Sequence, residues 1–241
     1  RVHDTSEIHG FDYKSTSCGN IMGSGINQMS MSEISDLGAF TIEAREISSR
    51  SREIAREIVG DTGYEDRIRQ RCVIATGDPG FADLLRFEND PVRAGIDAVR
   101  HNKNIYTDIR MVLVGITRVG HDCRVTCVLD VASGRRLADD QGLTRTSAGF
   151  VALEHDLDDA IIVIGNAPSA ALAVCTLIEE GITPALVIGT PVGFVNAAES
   201  KEALRSLNIP SITSVGTRGG TPVAVACMNE LIAIAIAGEG A

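Results

Sequence analysis

Val187-Ile188-Gly189-Thr190-Pro191-Val192-Gly193-Phe194-Val195-Asn196-Ala197-Ala198-Glu199-Ser200-Lys201-Glu202-Ala203-Leu204 starts as a buried strand, breaks over residues 189–193 and resumes as a helix. Two glycines and a proline at the end of a strand let the backbone turn sharply and approach a ligand closely. Two further units share this rhythm. Ile161-Ile162-Val163-Ile164 runs into Gly165-Asn166-Ala167-Pro168 and a helix to about Glu180. Ser211-Ile212-Thr213-Ser214 runs into Gly216-Thr217-Arg218-Gly219-Gly220-Thr221-Pro222 and a last helix. Three successive β-loop-α units predict parallel strands joined by right-handed crossovers, with all three glycine loops on one sheet edge. Continuous apolar strands need cover on both faces. The expected fold class is therefore α/β, a three-layer α/β/α arrangement with a mainly parallel central sheet.

Upstream, the spacing predicts a helix from about Thr41 to Val59, with Ile47, Ile54 and Ile58 on one face and Gly60 as its stop. Thr62 and Glu65 read as a capping box for a second helix that turns Ile68, Cys72 and Val73 inward and ends at Gly77. Asp90-Pro91 opens a third helix running to about Asn102. A short strand at 104–106, a helical turn through Met111 and Val114, and a strand-like run at 124–130 follow. Another helix opens at Thr144 and ends near His155. Residues 1–30 show no hydrophobic period and read as an N-terminal extension, leaving 31–241 as one domain.

The chain has 241 residues and a formal net charge of -10, which argues against nucleic-acid binding, since phosphate recognition needs a basic face. An anionic ligand must then be held by a few local cations, against the global field. Candidates are Arg145, Lys201 and Arg218, each in or beside a loop of small residues. A lone cation there is ordinarily a solvated charge; three on one sheet edge make a site. Arg145 lies among Thr144, Thr146 and Ser147, hydroxyl donors around a guanidinium suited to a carboxylate. The six scattered cysteines lack metal-ligand spacing and read as buried, reduced thiols of a cytoplasmic protein. No run is long enough to span a membrane. The glycine loops fit neither a dinucleotide fingerprint nor a P-loop, and no serine-hydrolase elbow or zincin motif occurs. His101, His121 and His155 sit near helix or turn ends and read as capping or surface groups.

These residues carry a resemblance. Gly165-Asn166-Ala167-Pro168, the block from Gly189 to Val195 with Glu199-Ser200-Lys201, and Gly219-Gly220-Thr221-Pro222 resemble the precorrin-8X methylmutase family of cobalamin synthesis. Thr144-Arg145-Thr146, Asp108 with Met111 and Gly115, and Ile47 with Ser51 extend the likeness over roughly residues 38–238. The resemblance implies a C-11 to C-12 methyl shift on a corrinoid (tetrapyrrole) ring, without a cofactor or bound metal. It implies a homo-oligomer with the site near the interface. It also implies substrate contacts by Ser51, Arg71, Thr76, Arg145, Thr146, Asn166, Thr190, Gly193, Lys201, Gly219 and Gly220.

One departure bears on the chemistry. The family pattern places a proton-donating histidine three residues after an arginine near the end of the second helix. Here Arg71 is followed by Cys72, Val73 and Ile74, so Ile74 holds the histidine position and cannot donate a proton. Arg52 likewise stands where the family carries an aromatic residue. Asp78 is the candidate substitute acid. Two readings stay open: an isomerase that uses another acid or relies on placement of the ring, and a corrinoid-binding carrier without the activity. A different enzyme on the same scaffold is a third.

Overall fold

A computed structural model describes residues 41–238; the expectation for residues 1–30 concerns residues outside that range. The elements are α1 (Ile42–Val59), α2 (Tyr64–Thr76), β1 (Leu85–Glu88), α3 (Pro91–Arg100), β2 (Ile105–Thr107), α4 (Arg110–Gly115), β3 (Val125–Cys127), α5 (Ala132–Gln141), α6 (Arg145–Val151), β4 (Ile161–Ile164), α7 (Pro168–Glu179), β5 (Leu186–Gly189), α8 (Ala197–Ser206), β6 (Ser211–Ser214) and α9 (Thr221–Ala237). Short 3-10 turns occupy Pro79–Leu84, Val128–Asp130 and Glu154–Leu157.

The six strands lie in the order β1-β6-β5-β4-β2-β3. The three strands read from sequence are parallel, with Val163 opposite Ile188 and Ile188 opposite Ile212. Only β1 runs antiparallel, Leu85 facing Ser214. Chain order reverses between β2 and β4, which pair in parallel. Such a switch point opens a crevice beyond the carboxyl ends of the strands.

Alternation along each strand builds the layers. Ile161, Val163, Leu186, Ile188 and Ile212 pack with Ile68 of α2, Ile96 of α3 and Leu231 of α9. Ile162, Ile164 and Val187 point the other way, onto Phe150, Val174 and Leu204 from α6, α7 and α8. The apolar run within α9 is buried, as its composition requires. No helix among the described residues is long and apolar enough to cross a membrane.

Several local expectations shift. Thr62 does precede α2, but its amide and hydroxyl meet Asp66 at 2.9 and 2.7 Å, one residue beyond the expected Glu65. The run at 124–130 is a strand only over Val125–Cys127 and then tightens into a 3-10 turn. The helix opened by Thr144 ends at Val151, with the 3-10 turn following. On α1 the period is helical, yet Ile47, Ile54 and Ile58 are exposed, while Ala55 and Ser48 face the protein.

Candidate functional site at the carboxyl edge of the sheet

Asp108 follows β2 and is fully buried. It accepts hydrogen bonds from the amides of Gly165, Asn166 and Ala167 at 3.1, 2.8 and 2.9 Å. Those three residues form the loop after β4, so one carboxylate bridges the switch point from β2 to β4. Burial pushes the Asp108 carboxyl up, against the pull of the amides that favour its charged form. Gly165 is needed there, because a Cβ would come within 2.8 Å of Val112 and 3.0 Å of the Thr221 backbone.

Beside this loop Thr144 caps α6, accepting from the Ser147 amide at 3.2 Å. Its hydroxyl also meets those of Ser147, Ser169 and Thr146 at 2.8, 2.9 and 3.2 Å. The result is a patch of hydroxyls spanning the starts of α6 and α7, with Arg145 exposed next to it. Among the described residues Arg145 makes no ion pair, so its fork is open to an anion. Asn166 is exposed at the same edge.

The loop after β5 packs against the loop after β6. Gly220 donates its amide to Thr190 O at 2.7 Å, and Gly193 donates to Thr217 O at 3.1 Å. A Cβ on Gly219 would lie 2.3 Å from Thr190 O, so only glycine allows this approach. Thr190 is buried, and its hydroxyl has no partner among the described residues. The apolar tip of the loop points outward: Phe194 is 95% exposed and Val195 75%.

Lys201 stands elsewhere than at the free edge expected for an anion holder. It is fully buried, and its ammonium donates to Arg218 O at 2.7 Å and Ser214 Oγ at 3.2 Å. Burial, with the nearby Arg205 charge, brings its pKa down to about 8. Lys201 therefore staples the turn that carries Arg218, Gly219 and Gly220. On the far side of that turn the Arg218 guanidinium meets Asp78 and lies over the Phe81 ring at 5.5 Å. Asp78 also accepts from Gly80 N at 3.0 Å. Its carboxylate thus acts as an acceptor that closes the turn after α2.

The remaining sequence candidates line α2 and its neighbours. Thr76 folds its hydroxyl back onto Cys72 O at 2.8 Å, and Ser51 does the same onto Ile47 O at 2.9 Å. Ile74 is half-buried. Arg71 donates to Glu230 at 3.1 Å, an α9 residue the sequence reading did not single out. The histidines are employed locally: His101 on Asp97 O, His121 on Thr117 O and His155 on Asp158. Cys72, Cys123, Cys127, Cys175 and Cys227 are buried free thiols. Among the described residues no group of His, Cys, Asp and Glu is placed to hold a metal ion.

Sheet order, the clasped switch point and the hydroxyl-and-arginine rim define a mainly parallel α/β protein whose carboxyl sheet edge gathers glycine loops, hydroxyls and an arginine unpaired among the described residues. Known proteins make this specific. The family model for precorrin-8X methylmutase matches residues 46–234. A cobalt-precorrin-8 methylmutase of Methanocaldococcus jannaschii is 42% identical over 209 residues, 83% of this chain and 98% of that protein. One from Methanothermobacter thermautotrophicus is 41% identical over 204 residues, 82% of this chain and 97% of that protein. The precorrin-8x methyl mutase structure from Thermus thermophilus superposes with a TM-score of 0.73 at 32% identity, covering 80% of this chain and 98% of that one. The chain belongs to the precorrin-8X methylmutase family.

Proposed function

We propose that this protein is an isomerase of corrin-ring synthesis that moves a methyl group from C-11 to C-12 of cobalt-precorrin-8. Family membership across residues 46–234 carries the reading, and the cobalt names of these two relatives support the metal-containing ring. The shift is intramolecular, so no external methyl donor is required. What the chain supplies is placement: Arg145, the Thr144–Thr146 hydroxyls and Arg71 engage ring carboxylates, and Asn166, Thr190, Gly193, Gly219 and Gly220 shape the edge. Lys201 acts from beneath, holding the Gly219–Gly220 turn. Positioning of reacting groups supplies up to about 7–11 kcal/mol in the best intramolecular reactions.

Ile74 gives the ring an apolar neighbour and no proton. Its replacement by histidine is the direct test. Incubation with cobalt-precorrin-8 should shift the visible spectrum slowly in the parent, and Ile74→His should raise the rate by about 10²–10⁴-fold, the usual contribution of a positioned general acid. Asp78→Ala, alone and combined with Ile74→His, tests whether Asp78 supplies the proton. Its pairing with Arg218 makes an unchanged rate the expected result. Stoichiometric binding without conversion in all four proteins would replace the isomerase by a carrier.

The assembly we propose is a homodimer with the site near the interface. The exposed Phe194 and Val195 at the sheet edge, and the exposed Ile47, Ile54 and Ile58 of α1, are apolar surface that a second copy would cover. Sedimentation at micromolar concentration should give a dimer; a monomer that still binds ligand would contradict it.

A further inference from the structure

Glu230 is fully buried in α9, and three arginines converge on it. Arg67 gives its Nε and Nη2 to Oε1 at 3.1 and 2.7 Å. Arg71 gives Nη1 to Oε2 at 3.1 Å, and Arg52 approaches the same oxygen at 3.8 Å. Both carboxylate oxygens are thereby occupied, and the guanidiniums of Arg67 and Arg71 alone put two positive charges against one negative charge. Side-chain exposure is 13% for Arg71 and 29% for Arg67, so the surplus positive charge lies half out of water. Charge held in that way attracts a further anion.

Helical spacing places the cluster. Residues 67, 71 and 74 are separated by four and three positions on α2, so Arg67, Arg71 and Ile74 form one stripe. Arg71 uses one edge of its guanidinium on Glu230. Its Nε and Nη2 donors bond nothing else among the described residues, which leaves a fork suited to a carboxylate.

We infer that Glu230 is a positioning residue: by gripping Arg67 and Arg71 it aims the open edge of Arg71 at a carboxylate on the rim of a ring lying against Ile74. The inference rests on the proposed function for the ring, and on the cluster geometry for the role of Glu230. A lysine at position 71 would keep the charge but lose the fork, since an ammonium cannot serve two carboxylates in fixed directions.

The experiment is calorimetric titration of the full chain with cobyrinic acid, whose side chains are carboxylic acids, and with its heptamethyl ester. Glu230→Gln should weaken binding of the acid by about ten-fold while leaving the ester little changed, since only the acid uses the aimed fork. Glu230→Asp, which keeps the charge, should recover part of the loss. Equal changes for acid and ester, or none for either in a folded variant, would overturn the inference. Should Glu230→Gln fail to fold, Arg71→Lys takes its place: selective loss of the acid supports the inference and an unchanged acid-to-ester ratio overturns it. If the parent binds neither corrinoid, the proposed function falls, and the cluster is read with citrate instead. A rise in melting temperature specific to citrate at constant ionic strength, absent in Arg71→Ala and Glu230→Gln, then supports the anion fork; no rise overturns it.

Discussion

Asp108 and Glu230 are both fully buried carboxylates, and the protein satisfies them in opposite ways. Asp108 sits among neutral donors, three backbone amides of one loop. Glu230 sits among cations, three guanidiniums from two helices. The first arrangement fixes the backbone at the switch point and offers no cation to a ligand. The second fixes side chains and leaves positive charge over. A buried acid can thus serve as a loop clasp or as a mount for arginines, and its partners decide which.

The largest expected effect separates the two. Glu230→Ala leaves the Arg67 and Arg71 guanidiniums facing each other without the carboxylate they share, which for a broken buried pair costs about 3–5 kcal/mol. Asp108→Asn keeps the shape but turns an amino group toward amide N–H groups at 2.8–3.1 Å, costing about 2–3 kcal/mol. Salt sharpens the contrast. The arginines around Glu230 are partly exposed, so their mutual repulsion in Glu230→Ala should weaken in 1 M sodium chloride, where the screening length is about 3 Å. The loss in Asp108→Asn should not change with salt, because its partners carry no net charge. Urea unfolding of the three proteins at low and high salt measures both. Equal salt dependence would dissolve the distinction.

The two regions also differ in how far the sequence reveals them. The three βα units are legible because each pairs an apolar run such as Ile161–Ile164 with a glycine loop, and both signals are local. Strand β1, Leu85-Arg86-Phe87-Glu88, is hidden because an antiparallel edge strand is half-exposed and follows a 3-10 turn. Helix α5, Ala132–Gln141, is polar and carries no strong apolar stripe; only Gly134 and Ala138 are buried. The stripe of Ile47, Ile54 and Ile58 has the right period, but nothing in the described chain covers it. At the site, the glycines and hydroxyls stand in recognisable order, whereas Glu230 meets Arg71 across 159 residues. Position in sequence carries no signal for such a contact. Lys201 shows the same limit from the other side: its place after a glycine loop suggests a ligand cation, and only the fold shows its ammonium turned inward.

Lys201 therefore belongs with Asp108 rather than with Glu230, as a buried charge among neutral partners, and its replacement carries the smallest effect at neutral pH. Lys201→Met loses two hydrogen bonds, but Arg218 O keeps the Ser214 hydroxyl at 2.8 Å, and the cost of burying a charge disappears with the ammonium. The net change at pH 7 is expected within about 1 kcal/mol. The informative quantity is its pH dependence. The unfolded chain holds this proton up to the ordinary value of 10.5, while the folded protein releases it from about 8. Between those values the unfolded state binds more protons, so this group makes stability rise with pH through that window. The buried thiols act in the opposite sense. Cys123, Cys127 and Cys175 are pushed up by burial, so the unfolded state loses their protons first and stability falls above about pH 9. Total stability mixes these terms, and the difference between parent and Lys201→Met isolates the lysine. That difference should move in favour of the parent from pH 8 to pH 10.5 and stay flat below 8, measured by urea unfolding under reducing conditions. A flat difference throughout would mean that the Lys201 ammonium is solvated in the folded protein, returning it to the open edge as a free cation for the ligand.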